Sequence, residues 1–213
     1  MRWRMLDGLA EDEVRRVIAS AHRRRFARHE VLFHEGDPAT TLHLVDKGRI
    51  AVRVTTPQGD VATVDLVLPG GVVGELALLA PGRRRGATAV AMERTETLSI
   101  DETTFSALRR ADPTVTDFLV QLLAARVDRL TERLLEALYL PADVRLWRRI
   151  VELSEVYGDV VPLTQEDLAG LAGTTRATVN RALRREEKLG TIALGRGRVS
   201  VVDRAGLLRR SSS

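Results

Sequence analysis

The 213 residues, 44% of them apolar, can fill one large or two small cores, and 33 Lys and Arg against 29 Asp and Glu leave a formal charge of +4, a balance that leaves nucleic acid open as a partner. The absence of cysteine excludes disulfides, thiolate metal sites, cysteine-held iron–sulfur clusters and a cysteine nucleophile. No apolar run approaches the roughly 20 residues that span a bilayer, and the opening MRWRMLDGLAEDEVRRV lacks an apolar signal core, so a cytoplasmic protein without a membrane partner is expected.

A helical pattern occupies Glu11 to Ala21. Residues 30–100 then alternate in short segments divided by turn signals, EVLFHEGDPA, TLHLVDKGRIAVRV, TPQGDVATVDLVLPGG and TAVAMERTETLSI, which predict a compact antiparallel β-domain. From Asp101, a ready N-cap, the period becomes helical. A second start lies in ADPTVTDF, where Asp112 precedes Pro113 in the first turn of a helix running to about Tyr139. Pro141 in LPAD disfavours helix at Leu140 and sets a domain hinge there; further helices and a glycine-punctuated hairpin fill residues 143–210.

In the long helix, Thr116, Val120, Leu123, Val127, Leu130, Leu134 and Ala137 recur at spacings of four and three, the pattern of a coiled-coil seam. The same period suits a helix packed on its own domain, so periodicity alone leaves both readings open; a parallel two-stranded dimer is the favoured one. Arg126, Arg129, Glu132 and Arg133 flank the stripe as a solvated margin.

LTQEDLAGLAGTTRATVNRALRREEKLG, residues 163–190, reads as two short helices around a turn. Thr164 with Asp167 makes a capping-box-like start, Leu168, Ala169 and Leu171 an apolar face, and Gly173 a left-handed turn. Val179, Ala182 and Leu183 pack the second helix on the first, leaving Arg176, Thr178, Asn180, Arg181 and Arg185 to read base edges or grip phosphates. Thr164, Gln165, Thr175 and Ala177 border that face. GTIALGRGRVSVVD adds two strands around Arg196 and Arg198, a basic wing. A helical hairpin with a merely solvated arginine face is the bland alternative.

With GELALL followed by an arginine about ten residues later, a long helix and this final segment, the chain resembles the CRP/FNR superfamily of bacterial transcription regulators. The likeness runs from RRRFARHEVLFHEGDPATTLHLVDKGRIAV through LTQEDLAGLAGTTRATVNRAL. It implies an α+β chain with an N-terminal double-stranded β-roll for the effector (1–111), a dimerisation helix (112–140) and a C-terminal winged helix-turn-helix (141–213). The implied partners are double-stranded DNA with a pseudo-palindromic operator, a second copy of the chain, and RNA polymerase. No enzymatic role is expected: there is no Walker loop, no G-x-S-x-G elbow and no paired-histidine motif.

The family's cyclic-AMP receptors set a Gly-Glu-Leu turn against the ribose hydroxyl, an Arg-Ser pair against the cyclic phosphate and a Thr-Ser pair against adenine. Carried over without gaps, these positions are Gly74, Glu75 and Leu76, then Arg85 and Gly86, then Leu130 and Thr131. Arg85 thus holds the phosphate position with backbone donors near Gly86 and Ala87, while Arg83 and Arg84 are surface residues; one residue of slack keeps Arg84 as the alternative. Gly86 lacks the serine hydroxyl, and Leu130 cannot hydrogen-bond an adenine amino group. The resemblance therefore implies a cyclic nucleotide, cyclic AMP first, as a non-covalent effector, with no metal. The alternatives are an effector-independent regulator with a degenerate pocket, and a cyclic-nucleotide module acting through protein contacts. His22, His29, His34 and His43 form no haem-ligand motif.

Overall fold

Helix α1 (Glu11–Ser20) leads into strands β1 (His22–Phe26), β2 (Val31–Phe33), β3 (Thr41–Lys47), β4 (Ile50–Thr55), β5 (Val61–Val67) and β6 (Val72–Val73). The short helix α2 (Glu75–Leu79) and strands β7 (Thr88–Ala91) and β8 (Thr95–Asp101) follow. The computed structural model describes residues 3–79 and 84–212, so Arg83 lies outside the described residues. The strands form two four-stranded sheets, β1-β8-β3-β6 and β2-β7-β4-β5, with antiparallel registers such as His43 opposite Ser99 and Ala51 opposite Val90. The β-structure therefore begins at His22, upstream of the residue 30 expected from alternation.

Period-two alternation decides what each sheet buries. Leu42 and Leu44 of β3 share one face with Val72, Leu98 and Ile100, and that face is covered by Trp3, Val17, Phe105, Val115 and Leu119. Val45 and Val73, on the opposite face, meet Ile50, Val67 and Ala89 of the second sheet. The result is the double-stranded β-roll, with an inner core between sheets and an outer core beneath helices.

Helix α3 (Glu102–Ala111) starts where expected, because Asp101 Oδ1 accepts from the Thr104 amide at 2.7 Å. Helix α4 (Pro113–Tyr139) starts where Asp112 Oδ1 accepts from the Thr114 amide at 2.8 Å. Val115 and Leu119 are its buried residues, whereas Val120, Val127, Leu130 and Leu134 of the expected seam stand exposed, Val127 at 61%.

The chain divides into two compact units, Met1–Gly59 with Val64–Asp128 and Asp60–Thr63 with Arg129–Ser213. This division falls inside α4 rather than at Leu140–Pro141. The reason is packing: Glu136, in the penultimate turns of α4, accepts from Arg148 and Arg149 of helix α5 (Ala142–Tyr157) at 3.0 and 2.9 Å. The partition at 111 and 140 is a division of roles and stays a proposal.

After α5 come β9 (Val160–Val161), helices α6 (Gln165–Ala172) and α7 (Arg176–Lys188), β10 (Ile192–Gly195), β11 (Arg198–Val201) and α8 (Arg204–Ser211). Trp147, Ile150, Leu168, Val179 and Leu183 are buried in this unit. The three strands order as β10-β11-β9. Helix α8 had no sequence counterpart beyond the hairpin. Its eight residues include a glycine and few apolar groups, yet Asp203 caps it at Gly206 N (2.9 Å) and Leu207 is fully buried.

Candidate effector pocket and nucleic-acid interface

Gly74 follows β6 with φ +91°, where a Cβ would stand 2.6 Å from Arg85 Nη1. That glycine lets Arg85 lie across the turn. Its Nη1 donates to Gly74 O at 2.9 Å and its Nη2 to Thr41 O at 2.6 Å, with the guanidinium 4.1 Å from the Phe33 ring centroid. Arg85 is 4% exposed, and its Nε finds no hydrogen-bond partner among the described residues. Glu75 opens α2 and is 1% exposed. Its Oε1 pairs closely with Arg126 Nη1, while Oε2 has no hydrogen-bond partner among the described residues. Burial pushes the Glu75 carboxyl up against the opposing pull of Arg126, and burial also lowers the Arg85 guanidinium.

Two buried polar groups thus keep unused capacity on either side of Gly74, an acceptor at Glu75 Oε2 and a donor at Arg85 Nε. A ribose hydroxyl and a phosphate oxygen are the complementary groups, so the residues present fit a cyclic nucleotide. Arg84 is exposed and donates to Gly36 O at 2.8 Å, a surface role. Gly86 is exposed with open space where a Cβ would stand, Ala87 is half-buried, and Leu76 is exposed. Leu130 and Thr131 are exposed on α4 beyond Asp128, in the second unit.

Arg126 corrects the sequence reading, which placed it in a solvated margin. Its side chain is 15% exposed and held three ways: Nε to Asp65 Oδ2 at 3.0 Å, Nη2 to Val72 O at 3.0 Å, and Nη1 to Glu75. A buried carboxylate needs a partner, and α4 supplies it. A signal was available: Arg126 follows Val115, Leu119 and Leu122 at spacings of four, three and four, on the packed face of the helix. Among the histidines, His22, His29 and His34 are exposed. His43 is buried, its Nδ1 3.0 Å from Thr97 Oγ1, and burial with the nearby Arg85 and Arg24 charges lowers it to about 4.

The second unit carries the candidate nucleic-acid face. Thr164 and Asp167 cap α6 reciprocally, Asp167 N to Thr164 Oγ1 at 3.1 Å and Thr164 N to Asp167 Oδ2 at 2.9 Å, which occupies the Thr164 hydroxyl within the protein. Gly173 ends the helix at φ +60°, ψ +49°, and Thr175 caps α7 at Thr178 N with 3.2 Å. Between α6, α7 and the β10–β11 wing lies a groove of about 510 Å3 whose walls bring together Gln165, Arg176, Asn180 and Arg198. Glu166, an acidic residue on the same wall, went unnoticed in the sequence. Ala177, Arg181 and Arg196 are exposed and Thr178 is half-buried, with Arg181 Nη2 3.5 Å from Thr178 Oγ1. Arg185 is engaged by Asp143 at 2.8 Å, which holds the Asp143 carboxyl below its ordinary value.

Comparison with known proteins agrees with both halves. A cyclic nucleotide-binding domain family matches residues 23–112, and a Crp-like helix-turn-helix domain family matches residues 144–210. The cyclic AMP receptor protein of Thermus thermophilus is 33% identical, over 94% of this chain and 93% of its own. A CRP-like cAMP-activated global transcriptional regulator of Mycobacterium tuberculosis is 26% identical over 87% of this chain and 86% of its own. Among solved structures, the c-di-GMP responsive global regulator CLP of Xanthomonas campestris superposes with a TM-score of 0.80 at 20% identity, covering 90% of this chain and 99% of that one. Buried carboxylate and guanidinium about one glycine, a capped helix-turn-helix with a basic wing, and this full-length likeness lead to one conclusion: the chain belongs to the CRP/FNR superfamily of transcription regulators.

Proposed function

We propose that this regulator acts in the cytoplasm as a homodimer on pseudo-palindromic DNA and is modulated by a cyclic nucleotide, cyclic AMP first. The observation that carries the effector reading is the pair of unused buried groups astride Gly74, Arg85 Nε and Glu75 Oε2. The exposed stripe Val120, Val127, Leu130 and Leu134 supports pairing of α4 with a second copy. With two-fold symmetry, two α7 helices enter successive major grooves about one helical turn apart. Arg176 and Arg181 then meet guanine, Asn180 adenine, Ala177 a thymine methyl, and the wing arginines phosphates. Contact with RNA polymerase follows from the regulator's class and rests on no residue named above.

An effector switches the protein only by holding the DNA-competent state better than the other. One observation favours a second reading, a regulator competent with its pocket empty: Arg126 already satisfies one oxygen of Glu75, and Leu130 needs no ligand to pair. Calorimetric titration of the full chain with cyclic AMP, cyclic GMP and a cyclic dinucleotide, followed by operator binding with and without each, separates the two. Saturable heat with one mononucleotide and tighter operator binding is the expected result. No heat at millimolar nucleotide, with operator binding intact, overturns the effector reading in favour of the second.

A further inference from the structure

Arg145, in the first turn of α5, spends its guanidinium on main-chain carbonyls. Nη1 donates to Leu140 O at 2.8 Å, Nε to Ala172 O at 3.0 Å and Nη2 to Gly173 O at 3.0 Å. Leu140 directly follows α4, whereas Ala172 and Gly173 close α6 and lead into the turn before α7. Carbonyls at a helix C-terminus lack partners within the helix and sit at its negative end, so a cation there is favoured twice over. One planar fork serves two helix ends at once with a separate nitrogen for each carbonyl, a spread that the one nitrogen of an ammonium lacks.

Further contacts fasten the same corner. Glu136 on α4 takes both Arg148 and Arg149 of α5, with Arg149 buried, and Asp143 at the start of α5 takes Arg185 of α7. The compact unit itself reaches back to Arg129, so the last turns of α4 belong with the helix-turn-helix. Leu140–Pro141 looks like a linker in the sequence, but its carbonyl is fixed.

We infer that Arg145 is a positioning residue for DNA recognition: it fastens the end of α4 to the turn of the helix-turn-helix, so that α7 follows the last turns of α4 without bending at Leu140–Pro141. Every motion of the last turns of α4 then reaches the recognition helix. Without the fork, α7 keeps its residues and its charge but loses its fixed aim relative to α4. Two α7 helices must meet both half-sites together, so loss of aim costs operator binding far more than binding to random duplex.

This inference rests on the DNA-binding reading. Because the chain has no cysteine, Glu132→Cys with Arg184→Cys places one spin label on exposed α4 and one on exposed α7. Labelled protomers are diluted into excess unlabelled protein so that only the distance within one chain is read. Affinity is measured in parallel for random duplex and for the operator that the wild type selects from a random pool. The expected results are one narrow distance distribution in the wild-type background, a broad one with Arg145→Ala, and an operator affinity lowered about tenfold or more while random-duplex affinity changes less than about twofold. Arg145→Lys, with one donor group for the fork, falls between in both readouts. Wild-type distances and operator affinity in Arg145→Ala overturn the inference; if that variant loses cooperative unfolding, Arg145→Lys decides by the same two readouts. A wild type that selects no sequence overturns the DNA-binding reading instead, a failure visible before any variant is made.

Discussion

Gly86 is a residue whose deficiency can be repaired. It stands exposed with open space around its missing Cβ, next to the buried Arg85, in a backbone conformation that any residue adopts. If the proposed phosphate position beside Arg85 is right, Gly86→Ser adds a hydroxyl there without displacing a neighbour and is expected to raise affinity for the cyclic nucleotide that binds about three- to tenfold, the worth of one ordinary hydrogen bond; calorimetry reads it. His43 makes its own contribution to pH dependence. Its pKa is about 4 in the fold against an ordinary value of 6.5, so the imidazole takes its proton chiefly on unfolding. Falling pH then favours the unfolded chain: the contribution is intact above about pH 7.5 and is lost as pH falls through 6.5 toward 4, by about 2 kcal/mol at pH 5 and about 3 when complete. Urea denaturation of wild type and His43→Gln at both ends of that window checks it, the variant showing about 2 kcal/mol less loss between about pH 7.5 and 5. Single residues were legible where chemistry is local. Glu75 and Arg85 were singled out through the family resemblance and their burial beside Gly74 fits the proposed pocket, whereas Asp65 and Arg126, which are held together by folding alone, were not.

Helix α4 is legible by period alone, yet period could not tell which of its faces turns inward. Val115 and Leu119 are buried, while Val127 and Leu134 stay 61% and 59% exposed, which is the division a second copy requires. Leu130 lies on the exposed stripe between them. Replacing it with Thr removes apolar area from the proposed pairing surface and is expected to weaken ligand-free operator binding by about 1 to 3 kcal/mol while enlarging the gain from the proposed cyclic nucleotide. Fluorescence anisotropy with and without nucleotide measures both. In α7 and the wing the proposed function gives two arginines different roles. Arg181→Ala is expected to cost about 1 to 3 kcal/mol of discrimination between operator and random duplex, and Arg198→Ala to weaken all duplexes alike and reduce the salt slope by about 1. Salt titrations of both variants against both duplexes distinguish the patterns. The caps of α3, α4 and α6 were read because a helical period follows each polar side chain; those of α7 and α8 are as local, Thr175 to Thr178 N and Asp203 to Gly206 N, but Thr175 was read as part of the DNA face, and α8 has too few apolar residues to show a period, its burial resting on Leu207.

At the scale of the whole molecule, alternation announced a β-domain and the Gly-punctuated tail a winged helix-turn-helix, but the boundary between units was hidden. Pro141 marks the end of a helix, which is a local fact; that the turns before it travel with the DNA-binding unit depends on Glu136, Arg145, Arg148 and Arg149 meeting across the corner. Strand order was equally out of reach, since period two says which face a strand buries and nothing of its neighbours. That order has a consequence for how the protein is made. Strand β7 lies between β2 and β4, and β8 between β1 and β3, so one short stretch, Thr88–Asp101, supplies a central strand to both sheets. On the ribosome β1 through β6 emerge first, with neither sheet able to close and with the leucine face of β3 still lacking Phe105, Val115 and Leu119. Nascent chains arrested before Thr88 has left the exit tunnel are expected to be protease-sensitive and to recruit holding chaperones, and those arrested once Asp101 and α3 are clear to be protected. Synthesis of the β-half is thus a prolonged exposure ended by a single late insertion, and slowing translation within residues 61–87 lengthens the interval in which this regulator is most prone to aggregate.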